Sequence, residues 1–285
     1  MTDGADAEVT PPKPLVPGVA SALSPMVRRI LAPNPGVMTG PGTNTYLVGI
    51  DEVAVIDPGI EDEGHLDAIL GCGGDRIRWI LCTHTHPDHS PGAAALKKRT
   101  GAEILAFESR DGLDVDVAIG DKHVVEATEF RLTAVHTPGH ASNHLCFHLR
   151  QEGLLFSGDH IMQGSTVVIA PPDGDMSAYL ASLEKVRALR LKAIAPGHGH
   201  VIDAPTAYID DYVSHRLERE AQVLAALEAG DITIAEIVGR IYVGLVDELV
   251  PRARQSVHAH LRKLAAEKRV TSTDVDDESA TWSPA

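Results

Sequence analysis

The run Thr83-His84-Thr85-His86-Pro87-Asp88-His89 constrains this chain more than any other stretch, because it places three imidazoles and a carboxylate directly after the apolar segment Ile77-Arg78-Trp79-Ile80-Leu81-Cys82. That segment reads as a buried strand, so the cluster sits where a strand ends. Residues at i and i+2 of an extended chain point the same way, which sets His84 and His86 to grip one ion from one side. Asp88 and His89, past the Pro87 turn, are set to face a second ion nearby. A chain of 285 residues with 15 histidines clusters some of them by chance. Several ligand groups at fixed offsets, inside the chain and far from any terminal tag, mark a metal site.

Partners follow at three more strand ends. His140 closes His136-Thr137-Pro138-Gly139-His140 after the alternating stretch Phe130-Arg131-Leu132-Thr133-Ala134-Val135. Asp159 follows Leu154-Leu155-Phe156-Ser157-Gly158, and His198 lies in Ile194-Ala195-Pro196-Gly197-His198-Gly199, each a short apolar strand ending in glycine. Ligand groups spread over four strand ends describe a site held on loops by a rigid scaffold. Imidazole nitrogens and carboxylate oxygens without thiolate suit zinc, and also iron or manganese. Two divalent ions balanced by Asp88, Asp159 and a bridging hydroxide keep about one positive charge, which favours an anionic substrate group. Water bound there has its pKa drawn down to roughly 7. Asp88 is the candidate for orienting the nucleophile or passing a proton to the leaving group. Asp57, ending the buried strand Val53-Ala54-Val55-Ile56, reads as a brace for a ligand histidine or its loop. His136, His144, His160 and His200 exceed the coordination two ions need and are assigned no ligation.

In order and spacing, His84, His86, Asp88, His89, His140, Asp159 and His198 resemble the HxHxDH, distal His, bridging Asp and final His motifs of the metallo-β-lactamase superfamily, over about residues 25 to 205. The resemblance implies an α/β fold: an αββα sandwich of two mixed sheets with helices outside and the metals at one edge. It implies two Zn2+, one held by His84, His86 and His140 and one by Asp88, His89 and His198, with Asp159 bridging. His89 and Asp159 stand where class B β-lactamases usually carry other residues, which turns the chain away from antibiotic hydrolysis. A histidine at position 86 separates it from di-iron flavoproteins, and the short interval from Asp159 to His198 excludes the inserted domain of messenger-RNA 3′-end-processing nucleases. What remains resembles glyoxalase II, thioesterases, persulfide dioxygenases and the β-lactamase-like-protein-2 endoribonucleases. The blocks Gly42-Thr43-Asn44-Thr45-Tyr46-Leu47-Val48-Gly49, Val55-Ile56-Asp57-Pro58-Gly59, Gly158-Asp159-His160-Ile161-Met162 and Pro196-Gly197-His198-Gly199 resemble the last of these.

The chain divides into a disordered tail over 1–25, rich in proline at Pro11, Pro12, Pro14 and Pro17, a catalytic domain over 26–204 and a small C-terminal domain over 205–285. In the last, apolar residues at three- and four-residue spacing predict helices over Tyr208 to Glu228, Ile232 to Tyr242 and Leu249 to Lys268, with Gly230 and Asp231 as stop and N-cap. Arg269-Val270-Thr271-Ser272 and Ala280-Thr281-Trp282 predict a wing, so this part reads as a winged helix. Its cations Arg252, Arg254, Arg262, Lys263, Lys268 and Arg269 form either a nucleic-acid surface or a solvated face beside the site's mouth. A net charge of −15 opposes duplex binding and favours the second reading.

The function expected is hydrolysis of a small anionic thioester or ester by metal-bound hydroxide, as in glyoxalase II. An endoribonuclease acting on single-stranded RNA is the alternative, and a single-iron persulfide dioxygenase using His84, His140 and Asp159 is the third. No run approaches 18 apolar residues and the acidic N-terminus lacks an export signal, so neither membrane insertion nor export is expected. Cys72, Cys82 and Cys146 read as reduced, mostly buried thiols of a cytoplasmic protein. Asn44 and Tyr46 are expected at the mouth, and Ser165 and Thr166 either at substrate or in a turn. Gly71, Gly73 and Gly74 read as a turn, and His258 and His260 as surface or domain-contact residues.

Overall fold

The computed structural model describes residues 14–230 and 232–285. Alternation along the strands sorts apolar side chains into separate layers, and that sorting builds the sandwich. The first sheet runs in sequence order through β1 (Ser21–Ala22), β2 (Val27–Leu31), β3 (Asn44–Val48), β4 (Val53–Ile56), β5 (Ile77–Leu81), β6 (Glu103–Ala106) and β7 (Val117–Ala118). Its first four strands pair antiparallel and the rest parallel. In β3, Tyr46 and Val48 face the layer between the sheets while Leu47 joins an outer layer with Leu66 and Ile69 of α1 (Glu63–Gly73) and Leu96 of α2 (Gly92–Thr100).

The second sheet holds β8 (Val124–Glu126), β9 (Arg131–His136), β10 (Leu145–Leu149), β11 (Leu154–Gly158) and β12 (Ala193–Pro196) in the order β12-β11-β10-β9-β8, with only β11 and β12 parallel. Leu132, Ala134, Leu145, Phe147 and Phe156 enter the layer between the sheets. On the opposite face Cys146, Leu155 and Ile194 pack against Tyr179 and Leu183 of α3 (Met176–Arg187) and Ile209 and Tyr212 of α4 (Pro205–Glu228). The αββα sandwich is therefore as expected.

The second half of α4 belongs to a separate apolar cluster with α5 (Ile234–Ile241), α6 (Val250–Ala266), β13 (Val270–Ser272) and β14 (Trp282–Pro284). β13 and β14 pair antiparallel, with Ser272 opposite Trp282, which is the expected wing. Thr233 caps α5 through a reciprocal box with Glu236, so the N-cap lies two residues beyond the expected Asp231, which is outside the described residues.

Two expectations need correction and a third is narrowed. Pro17 bridges Leu31 and β1 pairs with β2, so residues 17–22 are not a disordered lead. They satisfy the sheet edge that β2 would otherwise expose. Residues 1–13, with Pro11 and Pro12, lie outside the described residues. Gly71 and Gly73 continue α1 to its end and only Gly74, at φ 61°, leaves it. His258 and His260 are buried, His258 Nε2–H donating to the Val275 carbonyl at 2.9 Å and the ring lying edge-on to Trp282. Among the described residues no helix is long and apolar enough to cross a membrane.

Candidate metal centre

All four ligand-bearing loops leave the sandwich at one edge. β5 ends at Leu81, so His84 and His86 stand beyond the strand in irregular backbone. The i, i+2 geometry of a strand is thus not what aligns them. The carboxylate of Asp57, at the end of the neighbouring strand β4, orients His84 through Thr83. Its Oδ1 accepts from the Thr83 backbone N–H at 2.7 Å and its Oδ2 from the Thr83 hydroxyl at 2.8 Å. The hydroxyl, having donated, must accept the His84 Nδ1–H at 2.9 Å. The same Oδ2 accepts the His89 Nδ1–H at 2.8 Å. One buried carboxylate therefore orients a ring on each side of the site, the bracing role expected of it.

Backbone carbonyls fix two further rings. His140 Nδ1 donates to Val168 O at 2.7 Å and His198 Nδ1 to Gly42 O at 3.1 Å, which turns both Nε2 atoms towards the site. Glycine is required beside the ligands by contact. A Cβ on Gly197 would lie 2.8 Å from Asp159 Oδ1 and 2.8 Å from His89 Cε1. One on Gly158, which also sits at φ 47°, would lie 2.6 Å from Thr83 Oγ1.

The donor atoms converge in two groups. His84 Nε2 and His140 Nε2 lie 2.9 and 3.0 Å from His86 Nδ1, and His140 Nε2 is 3.6 Å from Asp159 Oδ2. In the second group His89 Nε2 and His198 Nε2 lie 3.4 and 3.2 Å from Asp88 Oδ2, and both lie 3.3 Å from Asp159 Oδ1. Asp159 thus turns one oxygen to each group. Ligands about 2.0–2.2 Å from a tetrahedral ion stand about 3.3 Å apart, and these separations fit that cage. His89 Nε2 and Asp159 Oδ1 are buried with no hydrogen-bond partner, a state a bound cation would relieve.

Electrostatics divide the groups as well. Burial holds His84 well below the ordinary histidine range and His86 at about 4, so both are neutral donors. Burial opposes charge on His89 and His198 too, yet Asp88, Asp159 and Asp57 drive His89 well above its ordinary value, and Asp159 foremost raises His198 to about 9. Against their own burial, Asp88 is held well below the carboxylate range chiefly by His89, and Asp159 chiefly by His198.

All seven residues expected at the site are thus brought together, while His136, His160 and His200 belong to neither donor group. His144 has a different part: its Nε2 accepts the backbone N–H of Asp159 at 3.2 Å and its Nδ1–H reaches Thr137 Oγ1 at 2.9 Å. Sequence reasoning gave no role to Thr83 or His144, although Thr83 directly precedes the ligand run. Asn44 and Tyr46 do not line the mouth. Both are buried and donate to the Pro196 carbonyl at 2.9 and 2.7 Å, clamping the His198 loop. Ser165 and Thr166 stand aside, and the neighbouring Val167 and Val168 line the cavity instead. Asp173 ties the loop after Asp159 to the His140 loop by accepting from the Ser142 N–H at 3.0 Å and from Arg110 at 2.9 Å.

The donor groups open into a cavity of about 440 Å³ whose walls include Met38, Met162, Val167, Val168 and Ala170, with Asp88 on its floor and Arg252 of α6 on its rim. Of the cations in the C-terminal domain, Arg254 pairs with Glu278, Arg262 with Asp276, and Lys263 and Arg269 with Glu220. Most of the basic cluster is therefore neutralised within its own surroundings.

Comparison with known proteins agrees with this geometry. The chain is 33% identical over 294 residues to the Beta-lactamase-like protein 2 homolog of Drosophila melanogaster, an alignment that covers 95% of this chain and 98% of that one. It is 31% identical over 291 residues to the atrochrysone carboxyl ACP thioesterase of Aspergillus fumigatus, covering 94% of this chain and 88% of that one. The fold matches the crystal structure of a beta-lactamase domain protein from Burkholderia ambifaria with a TM-score of 0.80 at 20% identity, over 95% of each chain. Residues 38–198 match the family described as Metallo-beta-lactamase superfamily, and residues 233–282 that described as Beta-lactamase associated winged helix domain. The chain belongs to the metallo-beta-lactamase superfamily and carries that superfamily's associated winged helix at its C-terminal end.

Proposed function

We propose that the protein is a dinuclear, zinc-dependent hydrolase of thioesters. The observation that carries this reading is the apolar cavity above two complete donor groups that share Asp159. His84, His86 and His140 would hold one ion and Asp88, His89 and His198 the other. When bound, such ions supply a water acidified towards about pH 7 and a Lewis acid for the carbonyl oxygen. The chain's own residues do the rest. Met38, Val167, Val168 and Ala170 receive an apolar acyl chain and exclude bulk water, so the carbonyl meets the donor groups in a low-dielectric site. Asp88 faces the cavity with Oδ2 3.2 Å from His198 Nε2, where it takes the proton of the attacking water and returns it to the departing sulfur. The water oxygen bonds to the carbonyl carbon, the C–S bond breaks, the thiol leaves with the proton Asp88 returned, and the acid leaves as a carboxylate once the water's second proton passes to solvent.

The similarity to an ACP thioesterase supports a thioester over an RNA phosphodiester. So does the internal pairing of the basic cluster, which leaves little cationic surface for a nucleic-acid strand. The completeness of the second donor group weighs against a single-iron dioxygenase. The free thiols, two of them buried, accord with a cytoplasmic setting. Metal analysis of freshly purified protein, followed by parallel assays on S-lactoylglutathione, an acyl-N-acetylcysteamine thioester and a labelled single-stranded RNA, tests the whole reading. We expect two zinc ions per chain and thioester cleavage that His198→Ala abolishes. RNA cleavage with thioesters untouched refutes the substrate class, and one iron per chain refutes the dinuclear site.

A further inference from the structure

We propose that Arg252, supplied by the winged helix, is a specificity-determining residue that binds an anionic group on the substrate at a distance from the scissile carbonyl. The proposal rests on the thioester reading above and names which thioesters the site prefers. Arg252 lines the cavity that contains His86, Asp88, His140, Asp159 and His198, although it comes from a different domain. It is exposed, and among the described residues no carboxylate lies within ion-pairing distance of it. Its hydrogen-bond partner among the described residues is the Gln255 side-chain oxygen, to which Nη1 donates at 3.0 Å.

A purely structural part fits Arg252 poorly. It stands in the first turn of α6, where the helix presents its positive end and a cation is disfavoured. Arg254, Arg262, Lys263 and Arg269 on and after the same helix all have acidic partners, so among the described guanidinium groups of α6 and the segment that follows it Arg252 is the exception. Asp173, the acid that shares the cavity with it, is already engaged by Arg110 and Ser142. A guanidinium on the rim of an apolar cavity selects a carboxylate or a phosphate by charge-assisted hydrogen bonds. The apolar walls select the uncharged spacer that joins this anion to the carbonyl. The anion can belong to the acyl part, as a carboxylate, or to the thiol carrier, as a phosphate.

Uncleavable thioethers distinguish these sources without relying on turnover. The probes are S-butyl-N-acetylcysteamine, which is neutral, S-(3-carboxypropyl)-N-acetylcysteamine, with its anion on the acyl side, and S-butyl-4′-phosphopantetheine, with its anion on the carrier side. Binding of each to the zinc-loaded full chain is measured by calorimetry for the wild type, Arg252→Gln and Arg252→Lys. We expect one anionic probe to bind the wild type about tenfold more tightly than the neutral one. That ratio should collapse towards one in Arg252→Gln and survive in part in Arg252→Lys. No preference for either anion, or a preference that persists in Arg252→Gln, overturns the proposal. If the preference depends on Arg252 but no corresponding thioester is cleaved, the anion site stands and the thioester reading is what fails.

Discussion

Replacing Asp57 by Asn tests whether one carboxylate sets the protonation of ligand rings on both sides of the site. Asp57 accepts three hydrogen bonds: from Thr83 N–H and Thr83 Oγ1, and from His89 Nδ1–H at 2.8 Å. An asparagine that keeps its oxygen on the Thr83 N–H turns an NH2 towards Thr83 Oγ1 and His89 Nδ1. His89 then accepts at Nδ1 and carries its proton on Nε2, the atom that faces Asp88 and Asp159, and in that tautomer it cannot hold a metal. Turning the amide over sets two donors face to face in a buried site, at a cost of about 1–3 kcal/mol. The Thr83 hydroxyl can still accept from His84 in the variant, so the first donor group suffers less.

Loss of an orienting partner of this kind weakens a metal about 10–100-fold, or about 1.4–2.7 kcal/mol. Zinc titration against a chromophoric chelator should show one ion retained with near-normal affinity and the second weakened by that factor. Imidazole nitrogen NMR should show the His89 tautomer inverted. Two zinc ions bound with unchanged affinities, with His89 still protonated at Nδ1, would refute the reasoning, and a thermal midpoint for the variant separates this result from unfolding.

Three further outcomes follow from other positions. Gly197→Ala drives a Cβ to 2.8 Å from Asp159 Oδ1 and His89 Cε1, so thioester turnover should fall by about tenfold or more with the circular dichroism spectrum unchanged; wild-type turnover contradicts the crowding. His65 is buried against Thr45 Oγ1, and burial lowers its pKa to about 4. Between the unfolded value near 6.5 and that folded value the unfolded chain holds the extra proton, so stability drops as pH falls through this window, by up to about 3 kcal/mol. Urea midpoints at pH 7.5 and 4.5 should show a smaller drop for His65→Gln, and an equal drop assigns the acid sensitivity elsewhere. Trp282→Ala removes the largest side chain of the C-terminal cluster, 1% exposed, and should cost about 3–5 kcal/mol. Hydrogen exchange should place the loss in α5, α6 and the wing first, and uniform loss across both sheets would contradict a separate cluster.

The ligand set was legible because its residues cluster locally or follow short apolar strands, and each strand end is readable by itself. Asp57 was legible for the same reason. Asn44 and Tyr46 were misplaced because their partners are carbonyls some 150 positions away, at Pro196 and Gly199, and nothing near them in sequence encodes that contact. For His258 and His260 surface and domain contact stayed open because polar residues on a helix do not declare which face a neighbouring wing will cover. Arg252 appeared only as one of six clustered cations. What distinguishes it, a place in a cavity shared with another domain, arises from packing between α6 and the sandwich.

α4 has a bearing on where this chain can be divided. A cut at residue 204, the boundary composition suggests, would remove Tyr208, Tyr212 and Arg216. These side chains hold the segment from Met162 to Val167: Tyr208 accepts from Gly164 N–H, Tyr212 donates to Met162 O at 2.7 Å, and Arg216 donates to Val167 O. The next carbonyl, Val168 O, is the one that orients His140. An excised sandwich would therefore keep every ligand residue and lose the splint that keeps one of them aimed, so the smallest unit expected to bind metal as the whole chain does extends through α4.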